Sequence, residues 1–150
     1  MINIEILPEF KRIFTPVILE RAAIAALNQQ AVPDADLTLV MTGDNQIQAL
    51  DRDFLGVDSP TDVLSFPSSE IDPETGRRYL GDIVISIPRA EAQSNFGGHP
   101  LEDELSLLVI HGVLHLLGHD HASEKEKIRM WNTQIKILNL LNISPSIVHE

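Results

Sequence analysis

The sequence predicts a single α+β domain, in which a mixed sheet of about four strands packs with about five helices. The 150 residues are 43% hydrophobic, which is enough to bury the core of one domain. Short segments of alternating apolar and polar residues are interspersed with longer segments whose apolar residues recur at helical spacing. The sequence has neither repeats nor low-complexity tracts, so one domain spanning residues 1–150 is expected.

Each element has a local signal in the sequence. Strands are expected from apolar and polar alternation or from β-branched residues, over 2–7, 36–42, 62–67 and 80–87. Helices are expected from apolar residues at helical spacing, over 15–29, 43–55, 88–97, 101–117 and 124–142. A polar loop that contains proline and glycine is expected over 68–79.

The first two helices are defined by their ends and faces. Thr15 is expected to cap the first helix, and Pro16 suits its first position because the N–H that proline lacks has no helical partner there. The second helix is expected to carry Ile47, Leu50 and Phe54 on one side.

Proline, glycine and a capping box delimit the later helices. Pro88 begins the third helix, and Gly97 with the glycine after it ends that helix. Pro100 introduces the long apolar helix that follows. Ser123, with Glu126 three residues later, forms a capping box at the start of the last helix.

The composition excludes several classes of protein. Cysteine is absent, which excludes disulfides and thiolate ligands, so any zinc would be bound through nitrogen and oxygen. The first residues alternate like a strand rather than forming a signal peptide, and apolar runs stay well below the roughly 18 residues of a membrane span. A cytoplasmic protein without membrane contact is therefore expected.

The net charge of -11 argues against a protein that coats nucleic acid regardless of sequence, because such binding depends on Lys and Arg. Binding to RNA would have to be local. Two basic patches are candidates: Arg77 with Arg78, and Lys125 with Lys127 and Arg129. The second patch alternates with Glu124 and Glu126, which is typical of an ordinary solvated helix face.

Residues 111–121 contain four of the six histidines and begin within the apolar stretch. His111 and His115 are four residues apart, so their rings leave one helix face one turn apart. Gly118 can adopt the positive φ that ends a helix, which would bring His121 back toward the same ion. Three neutral nitrogens leave one corner of a tetrahedral zinc ion for water, as in catalytic sites. One transition-metal ion per chain, most simply Zn²⁺, is therefore expected.

The other histidines are interpreted differently. His119 is the alternative third ligand, but the spacing from the glycine turn favours His121, with His119 or Asp120 supporting the ligands from outside. His99, which precedes a proline, and His149, near the end of the sequence, are expected to face solvent.

The ligand spacing matches that of the metzincin peptidases, but the residue after the first ligand differs. Those peptidases have a glutamate there, which takes a proton from the water on zinc. This chain has Gly112, which cannot accept a proton. A metallopeptidase is therefore the less favoured alternative.

Three blocks of sequence carry a wider resemblance. They are Asp-Ser-Pro-Thr-Asp-Val-Leu-Ser-Phe-Pro at 58–67, Leu-Gly-Asp-Ile-Val-Ile at 80–85, and His-Gly-Val-Leu-His-Leu-Leu-Gly-His-Asp-His at 111–121. In this order and spacing they resemble the YbeY endoribonucleases of bacterial ribosome maturation. The resemblance implies a metal-dependent hydrolase of single-stranded RNA that acts in ribosomal RNA processing, notably at the 3′ end of small-subunit RNA, and in RNA quality control. It also implies that His111, His115 and His121 are the ligands, usually of zinc.

One position departs from that family, which commonly has an aromatic residue, then arginine, then glycine. Here Leu55 lies between Phe54 and Gly56. The resemblance implies that the missing arginine faces the catalytic cleft, where a cation would stabilise a phosphate or its transition state. Arg52, one helical turn earlier, is a candidate to supply this charge.

The expected chemistry is metal-assisted phosphodiester hydrolysis, with Arg52 and Asp120 as the candidate catalytic residues. Asp120 and His119 are both candidates for the group that takes up the proton. Asp62 and Ser65 either line the mouth of the cleft or only hold the sheet edge.

The expected partners are single-stranded RNA and the small ribosomal subunit with its proteins, and the oligomeric state is left open. The alternative is a non-catalytic, metal-stabilised factor that docks on the small subunit. The acidic charge and Leu55 favour this alternative.

Overall fold

The computed structural model describes residues 1–148, which form one domain with a mixed sheet and five α-helices. The strands are β1 (Ile2–Ile6), β2 (Asp36–Thr42), β3 (Val63–Pro67) and β4 (Tyr79–Ser86). The helices are α1 (Val17–Gln29), α2 (Asp44–Leu50), α3 (Ile87–Gly97), α4 (Leu101–Leu116) and α5 (Glu124–Leu140). Short helical turns span Pro8–Phe10, Asp51–Leu55 and Pro145–Ile147. The predicted fold class is confirmed, and His149 lies outside the described residues.

The sheet has the strand order β1, β2, β4, β3. β2 pairs in parallel with both β1 and β4, whereas β3 pairs with β4 in the antiparallel sense. α1 provides the crossover that the parallel pairing of β1 and β2 requires. β4 lies between two strands and is buried over most of its length, as expected of a strand covered on both faces.

α4 is the central helix of the core. From Glu104 to Leu116 every residue is buried except His111 and His115, which are half-buried. A helix that is apolar around its circumference belongs inside a core, and α4 contacts α1, α3, α5 and the sheet. Although α4 is strongly apolar, no helix within residues 1–148 is long and apolar enough to cross a membrane. The two histidines mark the face of α4 that reaches the surface.

α4 approaches β4 closely at Gly112. A Cβ atom at this position would lie 2.6 Å from Cγ2 of Ile83 and 3.0 Å from its Cδ1. Ile83 is fully buried and β-branched, so it has little freedom to move away. The hydroxyl of Ser65 on β3 also donates to the carbonyl oxygen of Gly112, at 3.3 Å. Glycine is therefore a packing requirement at this position, and a glutamate would clash from its Cβ onward.

Several helix ends follow the predictions, although α3 begins at Ile87, one residue before the predicted Pro88. The Ser123 hydroxyl accepts the N–H of Glu126 at 3.1 Å, as the capping box predicts. Gly98 ends α3 at φ 71°. At the start of α1, however, Pro16 rather than Thr15 occupies the cap position.

The second predicted helix does not continue to residue 55 as a regular α-helix. Past α2 the chain forms a wider π-helical turn over Asp51–Leu55, which ends at Gly56 with φ 76°. The wider turn leaves Phe54 69% exposed, with its ring edge-on to Phe66 at a centroid distance of 5.8 Å. Phe54 thus lies at the surface, whereas Ile47 is fully buried, so the predicted helix does not extend as one buried face to Phe54.

His99 does not face solvent, so that expectation is also wrong. Its Nε2 lies 2.6 Å from Oε1 of Glu104, which is fully buried near the start of α4. The His99 side chain is only 11% exposed. A buried carboxyl group needs a polar partner, and the contact with Glu104 therefore keeps the imidazole of His99 in the protein interior.

Replacing Gly112 tests the close approach of α4 to the sheet. Gly112→Ala is expected to lower the free energy of unfolding by about 1–3 kcal/mol, the typical cost of overpacking a filled core. Alanine otherwise favours a helix interior over glycine by about 1 kcal/mol, so a net loss would report the clash. Urea denaturation followed by circular dichroism measures it. In an Ile83→Ala background the same substitution should cost much less, and an equal cost in both backgrounds would contradict the packing explanation.

Candidate metal centre

Three histidine rings converge at the open face of α4. His111 and His115 have their Nε2 atoms 3.0 Å apart. His121 lies beyond the helix end, and one nitrogen from each of the three rings lies within 4.8 Å of the others. Two nitrogens on one tetrahedral zinc ion lie about 3.3 Å apart, given Zn–N bonds of about 2.0–2.1 Å. The three rings could therefore hold a metal ion after small adjustments.

The turn that returns His121 to the helix is built on Gly118. Its φ of 94° lies in the left-handed region that favours glycine. The N–H of Gly118 donates to the carbonyl of His115 at 3.1 Å, and the N–H of His119 donates to the carbonyl of Leu114 at 2.9 Å. These two bonds form a Schellman motif, which satisfies the last carbonyls of α4. The predicted role of Gly118 is confirmed.

His111 is oriented from α5 by Gln134, a contact that was not predicted from the sequence. Nδ1 of His111 donates to Oε1 of Gln134 at 2.9 Å, so Nε2 carries the lone pair that can bind a metal. Gln134 is 5% exposed and shares the buried face of α5 with Met130 and Ile137. The sequence does contain a signal for this contact, since a glutamine at a core position of an amphipathic helix indicates a buried amide that needs a hydrogen-bond partner.

His115 is held in its neutral form. Its pKa is lowered from 6.5 to about 4, first by burial and then by the neighbouring rings of His111 and His121. Neutral imidazole is the form that binds metal, so His115 remains a competent ligand in mildly acidic solution. The unfolded chain, with a His pKa of about 6.5, binds more protons than the folded chain between about pH 6.5 and 4. Metal-free protein therefore loses stability as the pH falls through that range.

His119 and Asp120 leave the turn in different directions. Nε2 of His119 lies 2.8 Å from Oε1 of Gln30 beside the end of α1, and burial followed by the charge of Arg129 lowers the pKa of His119. Asp120 accepts the N–H of His121 at 2.7 Å, and the same oxygen lies 3.5 Å from Nδ1 of that ring. Asp120 thus adjoins the cluster, whereas the ring of His119 is turned toward α1.

Two cavities share the histidine cluster. The first, here named the α5 cavity, has a volume of about 260 Å³ and includes His111 and His121. Its helical walls are Leu107, Leu108, Lys127, Met130, Trp131 and Gln134. The second, the β3 cavity, has a volume of about 370 Å³ and is lined by residues 61–65, Pro67 and all three rings. Asp62 lines both cavities, and Ser65 lines the β3 cavity. Both residues therefore lie at the cleft that the two cavities form beside the histidines.

Arg52 and Leu55 lie outside these cavities, on the exposed π-helical turn. Nε of Arg52 donates to Oδ1 of Asp53 at 3.0 Å, and this hydrogen bond raises the pKa of Arg52. Leu55 is 56% exposed. Within residues 1–148, the linings of the α5 and β3 cavities come from other segments. A catalytic role for Arg52 stays a prediction.

The residues of the two predicted basic patches make separate contacts. Nε and Nη2 of Arg77 donate to Oδ1 of Asp36 at 3.0 and 2.6 Å, and this pairing lowers the pKa of Asp36 to about 2. Arg77 thus ties β2 to the loop before β4. Lys127 lines the α5 cavity, whereas Arg129 lines a separate depression with Asp120. α5 therefore presents Lys127 beside the histidine cluster.

Known proteins resemble the chain over most of its length. The family model described as Endoribonuclease YbeY matches residues 5–142. The chain is 41% identical over 133 residues to Endoribonuclease YbeY of Heliobacterium modesticaldum, covering 81% of this chain and 80% of that protein. It is 44% identical over 119 residues to Endoribonuclease YbeY of Halalkalibacterium halodurans, covering 74% and 75%. The solution structure of TM1509 from Thermotoga maritima superposes with a TM-score of 0.61 at 25% identity, covering 100% of this chain and 97% of that one.

Substitution of the two histidines after the turn tests which of them binds metal. His121→Ala should weaken zinc binding by more than the roughly 10- to 100-fold loss typical of an outer partner, because its ring reaches the cluster. His119→Ala should keep most of the metal, because that ring contacts Gln30. Zinc titration of each variant, with elemental analysis after desalting, measures both. The reverse order would assign the third ligand to His119.

Proposed function

The chain belongs to the Endoribonuclease YbeY family, and we propose that it hydrolyses single-stranded RNA with one metal ion, most simply zinc, held by His111, His115 and His121. The observation that carries this proposal is the convergence of three ring nitrogens, within 4.8 Å of one another, where two open cavities meet. Three protein ligands leave a tetrahedral ion one position for water or substrate, as in catalytic zinc sites.

The chain's own residues would position the ion and move the proton. A zinc ion bound by the three histidines would supply Lewis acidity toward a phosphoryl oxygen and would lower the pKa of water toward about 7. Gln134 holds His111 in the required tautomer. Asp120 is the proposed acceptor for the proton of the attacking water, because its carboxylate adjoins His121 while His119 is turned away.

Arg52 is the proposed contact for an RNA phosphate. Arg52 and its partner Asp53 are 54% and 57% exposed, so their ion pair contributes little to stability. A phosphate group, which accepts two hydrogen bonds from a guanidinium, can replace Asp53. Because Leu55 occupies the position where the family commonly has arginine, Arg52 is the neighbouring residue that can bring a cation to this turn.

Family membership also supports a cellular role. We propose that the substrate is ribosomal RNA, processed at the 3′ end of the small-subunit RNA during ribosome biogenesis in the cytoplasm, and that the enzyme also serves RNA quality control. The small subunit and its proteins are then its partners. With a net charge of -11, attraction to RNA has to come from local cations such as Arg52 and Lys127.

The second candidate function is a non-catalytic factor that binds metal and docks on the small subunit. The acidic charge and Leu55 favour it. A metallopeptidase is disfavoured by packing as well as by chemistry, since a glutamate in place of Gly112 would meet Ile83.

Cleavage of a defined RNA tests the proposed function. Zinc-loaded protein should cleave a single-stranded oligoribonucleotide and spare the same strand in a duplex. A chelator should abolish cleavage and added zinc should restore it. His115→Ala should be inactive because it removes a ligand, while His119→Ala, the matched control, should keep its activity. Protein that binds zinc but shows no chelator-sensitive cleavage would support the non-catalytic factor instead.

Arg52→Ala should slow RNA cleavage without changing bound zinc, because it removes the proposed phosphate contact. A single well-placed donor is worth about 3 kcal/mol, or on the order of a hundredfold in rate, and an exposed side chain should contribute less. Leu55→Arg should raise the rate if the family position is the better one. Initial rates at saturating zinc measure both effects. Arg12→Ala removes another exposed arginine as a control, and equal rates in Arg52→Ala and wild type would contradict the contact.

A further inference from the structure

The α5 cavity contains the single tryptophan of the chain beside the proposed metal ligands. Trp131 is 36% exposed, although its neighbour Met130 is almost fully buried. Trp131 shares the cavity of about 260 Å³ with His111 and His121. The accessible part of the indole therefore belongs to a recess that opens onto the histidine cluster.

The cavity has the chemical character of a site for a flat aromatic group. Leu107, Leu108 and Met130 supply apolar walls around Trp131, and the rest of the lining is polar: Asp62, His111, His121, Lys127 and Gln134. The amide oxygen of Gln134 is already engaged by an imidazole. Pockets for drug-sized ligands occupy about 300–1,000 Å³, so this smaller recess suits a group of the size of one nucleobase.

A cation lies in the same recess. Lys127 lines the cavity with 40% of its side chain exposed, and its Nζ is 4.0 Å from the carboxylate of Glu124. Lys127 thus places a positive charge at the recess that holds Trp131. On a protein with a net charge of -11, a cation at this point gives local attraction for phosphate.

We propose that the α5 cavity binds one unpaired base of the RNA beside the scissile phosphate, with the base stacked on Trp131 and an adjoining phosphate near Lys127. The proposal rests on the endoribonuclease function above and names how that site selects its substrate. A base within a duplex stays stacked in the helix and cannot enter the recess, so the cavity favours single strands. Stacking on an indole accepts any base, so little sequence preference follows.

Tryptophan fluorescence tests the contact directly, because Trp131 is the single fluorophore of its kind in the chain. Uridine 5′-monophosphate, which has no internucleotide bond to cleave, should quench the emission of zinc-loaded protein with saturation. Ribose 5-phosphate, which lacks the base, should leave the emission nearly unchanged. Equal responses to the two compounds, or none to either, would overturn the stacking contact.

Kinetics on RNA give the second readout. Trp131→Ala should lower kcat/KM for a single-stranded oligoribonucleotide by about 5- to 150-fold, mainly through KM, because base stacking on an aromatic residue is lost. Trp131→Phe should retain much of the activity. Ile128→Ala is the matched control, since Ile128 is an apolar residue of α5 that is 58% exposed and lies outside the cavity lining. Zinc content and thermal unfolding of each variant check that the fold and the site are intact.

The two proposals fail in different ways. If wild type does not cleave RNA, the proposed function fails, and the mononucleotide titration still decides whether the recess binds a base. If wild type cleaves RNA while Trp131→Ala, with normal zinc content, matches Ile128→Ala in KM, the base-binding proposal is overturned and the proposed function stands.

Discussion

The close packing of α4 against the sheet is the constraint on which the site depends. At Gly112 the helix comes so near β4 that a Cβ atom would lie 2.6 Å from a methyl group of Ile83. Because nearly all of the helix is buried, His111 and His115 leave the core at one fixed place. Two of the proposed ligands are thus positioned by packing, which allows a rigid element of the scaffold to set the geometry of the site.

The cluster costs stability at acidic pH when no ion is bound, and several features hold its neutral form. Partial burial of the His115 imidazole disfavours its charged form, and this is the main reason why the pKa of His115 falls to about 4. Gln134 satisfies the second nitrogen of His111, and the Schellman turn satisfies the carbonyls at the end of α4. An ion that binds only the folded chain would stabilise it further, so the same groups that weaken the metal-free fold would strengthen the loaded one.

Features that depend on neighbours in sequence could be predicted, and features that depend on distant partners could not. The strands, most helix bounds and the histidine group follow from alternation, helical spacing and one glycine turn. Gln134 reaches His111 from a helix 23 residues away, and Arg77 meets Asp36 across 41 residues, so neither pairing leaves a local pattern. Periodicity could not show the π-helical turn that exposes Phe54, because one added residue per turn changes the face without changing the composition.

The central claim is that three imidazoles bind one ion and leave a fourth position open. X-ray absorption at the zinc edge of protein reconstituted with one equivalent of zinc measures the number and type of ligands directly. For the proposed ligand set, three imidazole nitrogens at about 2.0–2.1 Å and one oxygen from water are expected. A closed shell of four nitrogens, or a spectrum without imidazole scattering, would contradict it.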